Sequence, residues 1–379
     1  MRKAMLRSAG VLLISWSLYP MSIQAKPVEA EPSPIVAEHS HSLHAAGPVK
    51  IRVQESYPSR IQARLEQRRR TLKTAFSAPT SGFSPHFILN LTKRWQVGQT
   101  LKVAFRGGNT ALHKQIADNV TQWTQFANLK FDFGINHANG KYRTWTTSDT
   151  VFAADIRVSF DQTGFFSLVG NDSLNLAVTK TGEESLNLQG FDQQLPSDWK
   201  AVSLHEFGHA IGFEHEHQAP LAPCDFRFND DAGYIPSTDE FGQFIADSQG
   251  RQPGLYTVLG GPPNNWPQAV VDFNLKPMAD SSAFELGPFD KLSIMKYFFP
   301  DWMFVSGSHS ECFTDSETLV LSEGDKKGAA KVYPKTAADI KVVTDRTTKV
   351  LQEITTKLEK LPDATKKHFE QQLRYFDQK

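Results

Sequence analysis

Apolar residues along the chain change their period several times, and each change marks an element. Leu101, Val103 and Phe105 alternate with polar neighbours, which predicts a strand over residues 101–105. Gly107 and Gly108 break it. Ile116, Val120 and Trp123 then recur on one face, predicting a helix capped by Thr110 and running to Phe126. Alternation returns at Leu129–Phe133, and again at Ile156, Val158 and Phe160, giving two more strands. Leu174–Val178 and Ser185–Leu188 read as shorter strands, and Trp199–Phe213 as a second long helix.

This order predicts an α+β body, a twisted and mostly parallel sheet backed by two long helices. After His217 the periodicity fades. Residues 218–288 are rich in Pro, Gly, Asn and Asp, and predict an irregular subdomain with one short helix near Asp239–Asp247. Leu321-Ser322-Glu323-Gly324-Asp325 carries N-cap chemistry for a helix reaching Val332, closed by Pro334. In the tail, Val343, Val350, Ile354, Leu358 and Leu361 return to helical spacing, Pro362 breaks the run, and Phe369, Leu373 and Phe376 mark another helix. Residues 335–379 therefore read as a helical hairpin, either packed on the body or serving as an arm for a partner.

Composition changes this picture in two places. The 379 residues carry 41 basic and 41 acidic side chains, so no net field points to nucleic acid or an anionic surface. The first residues pair Arg2, Lys3 and Arg7 with the apolar run Ala9–Leu18 and a cleavage position after Ala25. Residues 1–25 thus read as an export signal, for a secreted or periplasmic protein. No later run is long and apolar enough to predict a membrane span.

Residues 26–90 read as a leader. They hold a His cluster at His39, His41 and His44, and a basic helix over Ser59–Thr74 with Arg60, Arg64, Arg68, Arg69 and Arg70. Those arginines are either a processing site or one charged helix face. The body would span 91–334. Cys224 and Cys312 are the two cysteines, and in an exported chain such a pair invites a disulfide, with two buried thiols as the alternative. Closing that loop would constrain the unfolded chain by about 4–5 kcal/mol in the entropic account.

The candidate chemistry lies in His205-Glu206-Phe207-Gly208-His209-Ala210-Ile211-Gly212-Phe213-Glu214-His215-Glu216-His217. His205 and His209 stand one turn apart on one helix face, so both imidazoles can reach a single metal. Glu206 flanks that metal without having to ligate it, and can take a proton from an attacking water and pass it to a leaving group. Gly212 stands where the helix must end in a left-handed residue, and the reversal brings His215 back as a third ligand. Three imidazoles with one position left open are the donor set of a single catalytic Zn2+.

With these residues in hand, the chain resembles the astacins of the metzincin clan. Their zinc segment reads H-E-x-x-H-A-I-G-F-x-H-E-H, matched at each fixed position by residues 205–217. Their Met-turn reads S-x-M-H-Y, matched by Ser293, Met295 and Tyr297, with Lys296 in place of the usual His. The resemblance implies a zinc endopeptidase acting on protein or peptide substrates. It implies that Met295 lies beneath the metal, that Tyr297 is a switchable fifth ligand able to assist the oxyanion, and that Glu216 anchors a freed N-terminus. It also implies an antiparallel edge strand that pairs with substrate, for which Leu174–Val178 is the expected segment.

Three features depart from the family pattern. The stretch from His215 to Met295 is longer than expected, no F-x-G-D motif stands in the leader, and no cysteine precedes the zinc helix to block the metal. The alternative is a secreted binding protein on a metzincin scaffold, inactive or narrowly specific.

Overall fold

The computed structural model describes residues 57–76, 92–262, 264–278, 288–356 and 358–377. The expected export signal and the histidine cluster of the leader lie outside the described residues.

The body is a mixed α/β assembly around a five-stranded sheet. Its strands are β1 (Thr100–Phe105), β2 (Lys130–Asp132), β3 (Ile156–Ser159), β4 (Phe165–Ser167) and β5 (Leu186–Leu188), in the order β2-β1-β3-β5-β4. The first four strands in that order run parallel, and β4 pairs antiparallel with β5 at the edge. Leu101, Val103 and Phe105 point from β1 into the main core with Ile156, Val158, Leu186 and Leu188. Ala104 faces the other way, under Trp145. Period-two alternation places one set on each face.

Arg157 explains why β3 does not read as an unbroken apolar strand. It is fully buried, yet its guanidinium donates to the carbonyls of Glu183, Ala154 and Ser173. Burial pushes its pKa down to about 10. A buried cation survives here because its donors are met by fixed carbonyls.

Two helices back the sheet. Helix α2 (Thr110–Val120) begins one residue earlier in its capping than expected, because the Asn109 side chain, not Thr110, accepts from the Leu112 amide. It gives way at Thr121 to a 3-10 turn that carries Trp123 into the core, so the predicted single helix to Phe126 is two elements. Helix α3 (Trp199–Ala210) is buried from Ala201 to Ala210. Asn119 donates to Lys200 O and Ser203 Oγ, each at 2.9 Å, and the Trp123 indole donates to Leu204 O at 2.9 Å. These bonds fix the rotation of α3 about its axis.

The expected edge strand at Leu174–Val178 does not form. Gly170–Leu174 is a 3-10 turn, and the antiparallel edge is β4 instead. Gly170 adopts φ +54°, and a Cβ there would meet Lys93 O at 1.8 Å. The turn lies flat against the start of the body, where the Asn171 side chain donates to the Thr92 and Arg94 carbonyls.

The expected helix near Asp239–Asp247 is likewise absent. A short hairpin of β6 (Ser237–Thr238) and β7 (Phe244–Ile245) replaces it, turned by the Asp239 carboxylate accepting from the Phe241 and Gln243 amides. An aspartate that bonds its own backbone two residues on competes with a helix. The helices of this region are α4 (Leu255–Gly260) and α5 (Gln268–Leu275). Cys224 and Cys312 form a disulfide. Phe226, Phe299 and Phe304 stack beside it with ring centroids 4.8–6.0 Å apart.

Helix α6 (Glu323–Val332) carries the expected cap, with Ser322 and Asp325 forming a reciprocal capping box. Helices α7 (Ala337–Thr355) and α8 (Asp363–Asp377) are the hairpin of the tail, and Ile340 and Val343 pack against the main core. The basic helix of the leader, α1 (Ser59–Phe76), lies on the β4 side of the body. Arg60, Arg64 and Arg68 pair with Glu184, Glu183 and Asp172, while Arg69 and Arg70 stay exposed. Ile61 packs on Phe166, Leu168 and Val178, and Tyr57 donates to Ser167 O in the edge strand at 2.9 Å. No helix among the described residues is long and apolar enough to cross a membrane.

Candidate metal centre

Helix α3 delivers His205 and His209 from one face, and the chain reverses at Gly212, whose φ is +104°. His215 returns from that turn. The Nε2 atom of His209 lies 3.1 Å from both His205 Nε2 and His215 Nε2, and the ligand atoms of the three lie within 4.8 Å of one another. All three rings are buried.

The other ring nitrogens settle the tautomers. His205 Nδ1 lies 2.7 Å from Ile294 O, His209 Nδ1 2.7 Å from Phe213 O, and His215 Nδ1 3.0 Å from Gln218 Oε1. Each partner is an oxygen that only accepts, so each Nδ1 carries the proton. The three Nε2 atoms thus turn toward one another. Zinc–nitrogen bonds of about 2.0–2.1 Å in a tetrahedron set the nitrogens about 3.3 Å apart, close to the two 3.1 Å separations from His209 Nε2. The donor set fits a zinc ion, and the three Nδ1 bonds are the outer-shell contacts such a site uses.

Glu206 follows His205 on α3 and is 2% exposed, so its carboxyl sits inside the body rather than on a solvated face. Beneath the histidines runs the turn Ser293–Tyr297. Asp325 holds it, accepting from Ser293 Oγ at 2.6 Å and from the Ile294 amide at 2.9 Å. Ile294 then presents its carbonyl to His205. Met295 is 2% exposed, and a Cβ on Gly208 would meet its sulfur at 2.3 Å, so α3 needs glycine to rest on the turn. The Tyr297 ring lies 5.5 Å from His205 and 4.4 Å from His215, centroid to centroid. Lys296 is buried, donates to Tyr297 O at 2.9 Å, and has its pKa pushed down to about 8 by burial.

Glu216 sits on the far side of the loop. Its Oε1 accepts from the Asp290 amide at 2.9 Å, its own amide donates to Met295 O at 3.0 Å, and burial pushes its carboxyl up to about 7. His217 is fully buried, its ring centroid stacked 5.0 Å from that of His215 and tilted 4.8 Å from that of Tyr297. His113 is a satisfied core residue on Gly107 O, and His137 and His309 are exposed.

Sequence reasoning missed two supports, Gln218 and the Asp325 contacts to the turn. The capping motif marked Asp325 only as a helix start, and nothing periodic marks Gln218.

No protein-family model matches the chain, and no curated protein matches it. Among solved structures it is similar to myroilysin, at 26% identity over 65% of this chain and 97% of that one, with a TM-score of 0.48. A second structure of myroilysin gives 24% identity over 64% and 86%, with a TM-score of 0.40. High choriolytic enzyme 1, a hatching enzyme zinc-protease from Oryzias latipes (Medaka fish), gives 14% identity over 68% and 94%, with a TM-score of 0.32.

Proposed function

We propose that the chain is an exported zinc-dependent endopeptidase of the astacin kind, acting on protein or peptide substrates. The observation that carries this reading is the convergence of three Nε2 lone pairs with Glu206 on the same helix. A zinc ion, when bound, supplies a Lewis acid that polarises a peptide carbonyl and makes water acidic enough to attack near neutral pH.

The residues divide the remaining work. His205, His209 and His215 hold the ion, each aimed by its Nδ1–H bond. Glu206 takes the proton of the attacking water on its carboxylate and returns it to the departing amine. The Tyr297 hydroxyl, carried on a ring beside two of the ligands, donates to the oxyanion as it forms. Met295 gives the site an apolar floor. An extended substrate adds to the sheet along β4, the antiparallel edge, by main-chain hydrogen bonds. Export is in keeping with the apolar N-terminal run and with the disulfide.

The test is cleavage of an unfolded protein such as casein by residues 57–379, beside Glu206→Ala and with and without a zinc chelator. Chelator-sensitive cleavage that falls at least about a thousandfold in Glu206→Ala is expected. A folded, zinc-loaded protein that cleaves neither casein nor a peptide library would favour a binding role on the same scaffold. A folded protein that takes up no zinc would sink the reading.

A further inference from the structure

The three ligands are not aimed by equivalent means. His205 and His209 rest on backbone carbonyls, Ile294 O and Phe213 O, whereas His215 rests on a side chain, Gln218. An amide can present either its oxygen or its nitrogen, so something must choose between them. The choice is made on the other side of Gln218. Its Nε2 donates to Phe273 O at 2.7 Å and to Lys276 O at 3.2 Å. Both are carbonyls, and turning the amide over would set an oxygen against two acceptors. Oε1 therefore faces His215, His215 Nδ1 donates to it, and Nε2 is turned toward His209.

Phe273 and Lys276 stand at the C-terminal end of α5, where the last carbonyls have no partner within the helix. The metal loop caps that end at further points. His217 Nε2 lies 3.0 Å from Asn274 O, and the Met278 amide donates to Gln218 O at 2.9 Å. Gln218 is 7% exposed, so water cannot stand in for either half of its amide without rearrangement.

We propose that Gln218 is a positioning residue for the metal, fixing the tautomer of His215 through one end of its amide and fastening the third ligand to α5 through the other. The segment between the zinc loop and the Met-turn, which the motif leaves unexplained, thereby acquires a role: its second helix helps set the affinity of the site. This rests on the zinc reading above. Losing an outer-shell partner of this kind costs about 10–100-fold in metal affinity.

The experiment measures zinc affinity of the full chain by competition with a chromophoric chelator, and the visible absorption bands of the cobalt(II)-substituted protein. Gln218→Leu, which fills the space without an acceptor, is expected to weaken zinc binding about 10–100-fold and to shift the cobalt bands. Gln218→Glu keeps an acceptor for His215 but sets an oxygen against the Phe273 and Lys276 carbonyls, and is expected to bind zinc more tightly than Gln218→Leu and more weakly than the parent. Where Gln218→Leu does not fold, amide exchange across Gln268–Leu275 in the unaltered protein serves instead, and zinc is expected to slow it. A Gln218→Leu protein with unchanged affinity and unchanged cobalt bands would overturn the proposal. So would a Gln218→Glu protein as tight as the parent, which would leave the α5 contacts without effect, or exchange in α5 that ignores zinc. A parent protein that binds no zinc would bring down the metal reading first, and this proposal with it.

Discussion

The sheet half of the body and the half that follows His217 are held together by different physics. In the first, parallel strands and two helices bury most of one apolar core, which also takes in Ile294, Met295, Leu321, Ala329, Val332 and Tyr333 from beyond His217, and backbone ladders satisfy the polar groups. In the second, short helices and a small hairpin are joined by a disulfide, stacked phenylalanines and turns closed by carboxylates such as Asp239, Asp247 and Asp225. The metal centre draws on both, taking His205 and His209 from the first and the support of His215 from the second. A periodic core defines where a helix lies. Irregular chain needs specific partners to define where a single side chain points.

Removing the metal should strike both halves at once and have the largest effect. At a thousandfold excess of zinc over its dissociation constant, binding adds about 4 kcal/mol of stability, so a chelator should lower the melting temperature and speed exchange in α3 and α5 together. Loss of protection in α3 alone would mean that the second half is independent of the site.

The next effect separates the halves. Replacing Cys224 and Cys312 together with Ala should cost about 3 kcal/mol. The loss should appear as faster exchange around Phe226 and Phe304, while β1 and β3 keep their protection. Equal loss throughout would show that the two regions unfold as one.

The tail has its own point of weakness, on acid, where it faces Asp172 of the sheet half. His368 from α8 is buried, and desolvation, against the pull of Asp172, holds its pKa down to about 4. The folded state refuses a proton that the unfolded chain accepts near pH 6.5. That stability is complete above pH 6.5 and is lost as pH falls toward 4, amounting to about 2 kcal/mol between pH 7 and pH 5. Denaturant titrations of the parent and His368→Leu at both pH values should show the parent losing more. Parallel pH dependence would remove His368 as the cause.

The smallest effect probes the support of the Met-turn. Ser322→Ala removes the cap of α6 and should cost about 1 kcal/mol. A loss well above that would mean that Ser322, which also donates to Asp290 Oδ2 at 2.6 Å, acts as part of the turn's network as well as a cap.

The same contrast decides what could be read from the sequence. β1, β2, β3 and α2 follow from alternation and from the spacing of Ile116, Val120 and Trp123, because burial on one face leaves a period. The three histidines were legible as a motif since helix geometry and one left-handed glycine dictate their spacing. The edge strand was not. Phe165-Phe166-Ser167 and Leu174–Val178 are equally short and apolar, and the contact of Gly170 with Lys93 O, far away in sequence, decides between them. The Asp239 turn defeated a helical reading through one local carboxylate. Gln218 and the turn-holding role of Asp325 left no pattern, since the amide of Gln218 is oriented by carbonyls 55 and 58 residues away and the turn lies 31 and 32 residues from Asp325.

Tyr333 closes the body from behind, its hydroxyl donating to Ile211 O at 2.5 Å at the end of α3 and accepting from the Trp95 amide at 3.3 Å. Asp325, eight residues earlier, carries the turn under the ligands. Both come late in the order of synthesis. A chain that emerges N-terminus first therefore possesses all three histidines and Glu206 well before it possesses Ile294, which aims His205, and the Asp325 and Tyr333 that hold the turn and the end of α3. A chain that stops short of them carries the ligands without that geometry.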